Sequence, residues 1–438
     1  MANGPRVTTA PPARWLWRGA LAFFILAGLT GAFFRFGTAQ GTTLGFSLGN
    51  IRHAHSHTMY FGWVTPALMG LIAYRLRELG AGSLPKLGPT VGLAFLTALV
   101  AYVPFLLFGY APATFGETQL PLSMIAAGLN VLAWYWFVAI YVRARRNDAP
   151  SIAIRLFDLA VFFLVLATLG AWGLSGMQLV GHDDVALRMA LTHVFLDIFS
   201  EGWFVLGVLG LAAAEVNLGN RSAVWGVRLA AMGIPFTFAL GMPPSLVSPL
   251  FRLLSSLGGV AVAIGLILIA IPLWRHLGSA SSTDARWMWR FAIVALLIKA
   301  VAEGLVSIAP DANWSAMPHL RIIYLHVVLL GFVSVGLVAA ARSAWGESAT
   351  RGHTGFVISI AALLLFLLPY TPAWPIAWRG VWLLWVTAAL ALGPVLAAAW
   401  MLLGKRFQVL GSGFQVAVPE APLPGSDQPE DRQSSNDR

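Results

Sequence analysis

The chain has no cysteine in 438 residues, and only 11% of its side chains are charged. The missing thiols exclude disulfides, thiolate-ligated haem, covalent haem attachment through CxxCH and cysteine-ligated iron–sulfur clusters. A metal centre in this chain would have to use His, carboxylate, Met or Tyr. The shortage of charge, against 58% hydrophobic residues, excludes an ordinary soluble surface and marks membrane composition. The apolar runs are too long and too many for soluble core helices, since a bilayer crossing takes about 20 apolar residues. They predict twelve membrane helices near 16–36, 54–75, 88–110, 120–143, 153–178, 185–215, 223–243, 248–274, 287–309, 319–342, 354–371 and 380–403. Residues 1–405 thus form one transmembrane domain. The tail 406–438 is rich in Pro, Ser and acids, which predicts a disordered cytoplasmic segment.

The net charge of +10 raises the question of nucleic acid, but the placement of the basic residues answers it better. With the N-terminus inside, 21 of the 28 Lys and Arg fall on the cytoplasmic side. Arg35, Arg52, Arg188, Arg252, Arg321 and Arg379 fall outside, and Lys299 lies within a span. The positive-inside rule therefore supports twelve spans with both termini cytoplasmic, the lipid bilayer as partner and no nucleic acid. Arg14 and Arg18 flank the first span and no small-residue cleavage site follows it, so it is expected to be retained.

Ionisable groups inside a membrane are costly, and their positions are the next guide. The second, sixth and tenth helices all run from outside to inside in this topology. Each carries a histidine about one turn past its outer arginine: His55 after Arg52, His193 after Arg188, His326 after Arg321. Three imidazoles at one depth on every fourth helix suggest a shared site in a 4+4+4 pseudo-threefold bundle, although no short-period sequence repeat accompanies it. Single histidines at helix mouths are otherwise commonly interfacial hydrogen-bonding residues. Two neutral imidazoles on facing helices would make a six-coordinate, low-spin haem site.

Residues 55–68, HSHTMYFGWVTPAL, and 324–336, YLHVVLLGFVSVG, resemble the catalytic subunit of the haem–copper oxidase superfamily, which includes the nitric oxide reductases. There the second helix carries a histidine followed by a pattern like M-x-F-F-x-x-x-P, matched by His55, Met59, Phe61 and Pro66. The resemblance implies an all-α, cytochrome c oxidase subunit I-like bundle with His55 and His326 as axial ligands of a low-spin b-type haem. It further implies a bacterial inner membrane, a cytochrome c-type or quinol electron donor, a partner subunit, and nitric oxide or oxygen as acceptor. On the sixth helix, LTHVFLDIFSEGW places His193, Asp197 and Glu201 four residues apart on one face. Nitric oxide reductases use that spacing for non-haem iron, and an O/N donor set suits iron, manganese or zinc. Hydrogen bonding of Asp197 and Glu201 to neighbouring helices is the alternative.

The departures are as informative. The family's seventh helix carries a His-His pair, whereas this chain reads GIPFTFALGMPPSLVSP, and Tyr324 stands where the high-spin haem ligand would be. The binuclear centre is therefore expected to be absent or rebuilt, leaving Asp197, Glu201 and Tyr324 as candidate catalytic groups. The segment HSHTMYFG is also similar to NnrS-type membrane proteins, which bind haem and copper and are associated with nitric oxide stress. That similarity implies a non-catalytic haem/copper protein for nitric oxide tolerance, metal sensing or assembly. A transporter that merely contains histidines is a third class.

His53 and His57 share a face, with His55 turned about 200° away on an ideal helix. They are weak candidates for a second metal such as copper, the plainer reading being interfacial polar residues. Arg379 lies where the family pairs arginine with haem propionates, and Arg52 and Arg321 are further candidates. Lys299 and Glu303 are expected to neutralise each other, a proton path being the alternative. Trp15, Trp17, Trp134, Trp136, Trp374, Trp378, Trp382 and Trp385 read as interface anchors.

Overall fold

The computed structural model describes residues 14–145, 151–280, 282–310, 312, 314–372 and 374–412. Long apolar helices dominate it: α1 (Arg14–Gln40), α2 (48–78), α3 (Leu87–Phe108), α4 (Leu122–Ala144), α5 (Ile152–Leu179), α6 (Val185–Glu215), α7 (Arg221–Gly241), α8 (Pro249–Ala280), α9 (Thr283–Ile308), α10 (Pro318–Trp345), α11 (His353–Tyr370) and α12 (Val381–Ser412). A short antiparallel hairpin, β1 (Ala113–Phe115) and β2 (Thr118–Leu120), joins α3 to α4, turning at Gly116 with a positive φ that glycine adopts without strain. Polar residues punctuate the apolar runs. Ser151, Asp184, Asn220 and Ser282 accept backbone N–H bonds that open α5, α6, α7 and α9.

Eleven of these helices are long and apolar enough to cross a membrane, which makes the protein a multi-pass, all-α membrane protein. The helix outside that set is α2, where the twelve-span expectation placed another crossing. It is long enough, but His53, His55, His57, Tyr60, Trp63 and Pro66 dilute its apolar character. The expected tail boundary also shifts, because α12 continues past residue 405 to Ser412; the rest of the proposed tail lies outside the described residues.

Three helices occupy the middle of the bundle. In their second halves α2, α6 and α10 touch one another pairwise, while α12 packs along α1, α8 along α7 and α9, and α3 along α4. At one end Arg75 of α2 pairs with Glu215 of α6, and Ser343 of α10 donates to Glu215 Oε1 at 2.7 Å. Midway, Trp63 Nε1 on α2 donates to Ser334 Oγ on α10 at 3.0 Å, and Trp203 Nε1 on α6 donates to Thr65 Oγ1 on α2 at 3.2 Å. These bonds satisfy indole N–H groups where no water is at hand.

Each of the three central helices contains a π-helical segment: Thr58–Val64, Phe199–Val205 and Val327–Ser334. Segments of this kind insert a residue into the α-helical ladder and are frequent at functional sites. All three hold a glycine followed by an aromatic residue: Gly62-Trp63, Gly202-Trp203 and Gly331-Phe332. Each glycine lies flat on the helix before it. A Cβ at Gly62 would overlap the Phe23 ring of α1, one at Gly202 the Phe163 ring of α5, and one at Gly331 would sit 3.0 Å from Ala295 Cβ of α9. Gly62→Ala is therefore expected to destabilise the bundle by about 1–3 kcal/mol through overpacking. Adding Phe23→Leu should recover much of that loss in a double-mutant cycle of thermal unfolding in detergent; simple additivity of the two losses would show that this contact does not fix the packing.

The interface-anchor reading of tryptophan divides. Trp15, Trp136, Trp378, Trp382 and Trp385 are exposed, but Trp17 and Trp134 are fully buried. Trp17 donates to Ala349 O at 2.8 Å and packs on Trp63, and Trp134 stacks on Phe199. Both are core residues tying outer helices to the central three.

Candidate functional site

His55 projects from α2 towards α1, where its Nδ1–H donates to Ala27 O at 2.7 Å and its ring rests on Gly31. A Cβ at Gly31 would lie 2.8 Å from the imidazole, so only glycine leaves the ring its place. His326, on the last turn of α10 before its π segment, donates Nδ1–H to Ile322 O at 2.7 Å. In both residues the carbonyl fixes the tautomer and leaves the Nε2 lone pair as the one free coordinating atom. His326 lies within electrostatic range of His55, and Arg35 of α1 is within range of both. The Arg35 guanidinium stands 5.9 Å from the centre of the Tyr370 ring.

The other arginines are placed differently. Arg379 is exposed and donates from Nη2 to Thr371 O and Trp374 O, each at 2.8 Å, closing the loop before α12. Arg52 and Arg321 are also exposed, Arg321 at the rim of the cavity described below. His53 and His57 hold the end of α3. His57 Nδ1–H donates to His53 O at 2.9 Å, Tyr110 O–H donates to His57 Nε2 at 3.1 Å, and the His57 ring stacks on Phe105. Both nitrogens of His57 are thus engaged within the protein.

A cavity of about 730 Å³ opens between α6, α7, α9, α10 and α11. His193, Asp197, Glu201, Lys299, Glu303 and Tyr324 all line it. His193 is buried, and its Nδ1 lies 2.8 Å from Asp197 Oδ2, so one arm of the helical triplet closes on itself. Glu201 turns instead to α9, where Lys299 Nζ stands 3.1 Å from Glu201 Oε1 and also pairs with Glu303. The predicted Lys299–Glu303 pair is present, with Glu201 as a third member. Among the described residues no three His, Asp or Glu are grouped to hold a metal ion. From α7, Gly241 presses on this site: a Cβ there would overlap the His193 ring and lie 3.1 Å from Asp197 Oδ2. The helix that carries two histidines in the resembled family here brings backbone against His193.

Arg35, Gly31 and Gly241 escaped the reading of the sequence. Arg35 was visible only as an outer-side positive charge, and nothing in a single sequence marks a glycine pressed on an imidazole. The recurring pair of glycine and aromatic residue in FGWV, EGWF and LGFV was a visible signal for the three related helices. It is short and lies at spacings of over a hundred residues.

The fold and its buried polar groups define a multi-pass α-helical membrane protein with two histidine-bearing sites, one facing α1 and one facing a cavity. No family model and no curated protein matches the chain.

Proposed function

We propose that the protein is a haem-binding membrane protein of the haem–copper oxidase type, with α2 as a twelfth span and α2, α6 and α10 at the centre of a pseudo-threefold bundle. The observation that carries the reading is the pair His55 and His326, each held by a backbone carbonyl with Nε2 free. This donor set fits a bis-imidazole b-type haem, and such a group, when bound, supplies one-electron transfer. The chain's own part is to fix both ring orientations through Ala27 O and Ile322 O and to place a permanent positive charge, Arg35, beside them. That charge suits a propionate carboxylate. The role is electron transfer or redox chemistry linked to nitric oxide or oxygen, fed by a cytochrome c-type or quinol donor.

A second reading, a non-catalytic haem/copper protein for nitric oxide tolerance, is favoured by one observation: Gly241 closes on His193 where a rebuilt second centre would need ligands. Pyridine haemochromogen analysis of detergent-purified protein tests the common claim, with one b-type haem per chain expected and none if the chain is a transporter. Turnover of nitric oxide or oxygen by the haem-loaded protein with a reduced donor then separates enzyme from non-enzyme.

A further inference from the structure

The cavity is long, open along one side and walled mostly by carbon. From Phe291 to Val306 its α9 wall runs roughly 20 Å at the α-helical rise. One leaflet of a hydrocarbon core is shorter, about 15 Å. Ile298 and Leu305 of α9 and Leu365 of α11 line the cavity and yet are more than half exposed at the surface of the bundle. The reason is the packing: α11 rests on α10 and α12 and shares no extended contact with α9. The gap between them therefore gives onto the apolar flank of the bundle, where acyl chains lie. The charged groups on the wall are occupied with one another, Lys299 with Glu201 and Glu303, and His193 with Asp197. The two carboxylate oxygens without a donor, Glu201 Oε2 and Glu303 Oε1, have almost no exposed surface to offer a guest.

The mouth carries the opposite feature, a charge with no partner. Arg321 stands where α10 begins, with Trp314, Leu320 and Thr371 around the same end of the cavity. Its side chain is exposed, and among the described residues it has no hydrogen bond or ion pair. Arg188, at the same end of α6, is by contrast paired with Asp183. A lone guanidinium above an apolar slot is complementary to a phosphodiester that carries a fatty chain, because the planar fork takes two phosphate oxygens at once. The indole of Trp314 belongs at the same headgroup level. A headgroup of net charge −1 neutralises Arg321. A zwitterionic one brings an ammonium as well, and none of these mouth residues is acidic. The volume, about 730 Å³, is of the size that encloses a single small guest, and one acyl chain is such a guest.

We propose that this cavity holds one anionic phospholipid of the surrounding bilayer as a fixed part of the protein. Its phosphate pairs with Arg321, one acyl chain enters between α9 and α11 and fills the apolar space, and the second chain stays in the bilayer along the flank. The buried chain supplies the packing that α9 and α11 do not give each other. The site is separate from the His55–His326 pair and does not depend on haem.

The test uses full-length protein exchanged into lipid-free detergent and titrated with dioleoylphosphatidylglycerol, the adducts being counted by native mass spectrometry. One adduct per chain is expected to bind at least tenfold more tightly than any further one, and at least tenfold more tightly than dioleoylphosphatidylcholine. Arg321→Ala should weaken it severalfold, whereas Arg188→Ala, outside the cavity, should not. Ala302→Trp and Ala361→Trp fill the space from α9 and from α11 and leave the guanidinium in place; each should abolish the tight adduct. Glycerophosphoglycerol, the headgroup without chains, should not bind. The variant lacking both His55 and His326 should bind lipid as the wild type does, which keeps this result apart from the fate of the haem reading. Equal affinity for phosphatidylcholine or in Arg321→Ala, adducts indifferent to both tryptophans, or binding of the bare headgroup would each overturn the proposal. So would a haem that the variant without the two histidines retains and Ala302→Trp loses, since haem would then be the occupant.

Discussion

His326→Ala is expected to abolish the low-spin haem signal of the purified protein, and His55→Ala to do the same. Each histidine offers one free ring nitrogen, Nε2, because Nδ1 is committed to Ala27 O or Ile322 O. His57, on the same helix as His55, has both ring nitrogens engaged within the protein. A haem retained on one histidine would be five-coordinate, so the residual pigment should turn high-spin and bind carbon monoxide. Added imidazole should return the low-spin spectrum in the His326→Ala protein. A variant that keeps a low-spin spectrum without added ligand would remove that histidine from the coordination sphere. His193→Ala serves as the control and should leave the spectrum unchanged, since His193 is bound to Asp197 in a different site.

Lys299→Met should cause a large loss of stability. Lys299 is fully buried between Glu201 and Glu303, and its removal leaves two carboxylates with no opposite charge in a medium of low dielectric. Breaking such a buried network by deleting one partner costs about 3–5 kcal/mol, whereas replacing all partners by neutral groups of similar shape is often near neutral. The triple variant Lys299→Met, Glu201→Gln, Glu303→Gln is thus expected to unfold close to the wild-type temperature. Thermal unfolding in detergent reads both, and a triple variant no more stable than the single one would show that the loss does not come from the unpaired carboxylates.

Helix positions were legible because hydropathy reports length directly. The sixth helix was expected at 185–215 and is Val185–Glu215; the fifth was expected at 153–178 and is Ile152–Leu179. What hydropathy does not encode is which side of a helix meets which neighbour. Trp134 and Trp136 are two residues apart, yet one is buried against Phe199 and the other faces outward, a distinction made only when α4 packs on the centre. The spacing of His193, Asp197 and Glu201 placed them on one helix, where His193 and Asp197 pair with each other, but the partner of Glu201 comes from α9. Glu201 finds Lys299, 98 positions away, in preference to its own helix-mates. The π segments were not legible, because a π turn is a shift of backbone hydrogen-bond register and composition does not reveal register.

The most direct test of the central claim is the electron paramagnetic resonance spectrum of the oxidised protein purified from cells grown with ¹⁵N-labelled histidine. The account predicts one low-spin ferric haem per chain, with hyperfine coupling to two histidine nitrogens that reduces to one in either the His55→Ala or the His326→Ala variant reconstituted with unlabelled imidazole. A high-spin ferric signal, coupling to a single histidine, or no haem signal in the wild-type protein would contradict it.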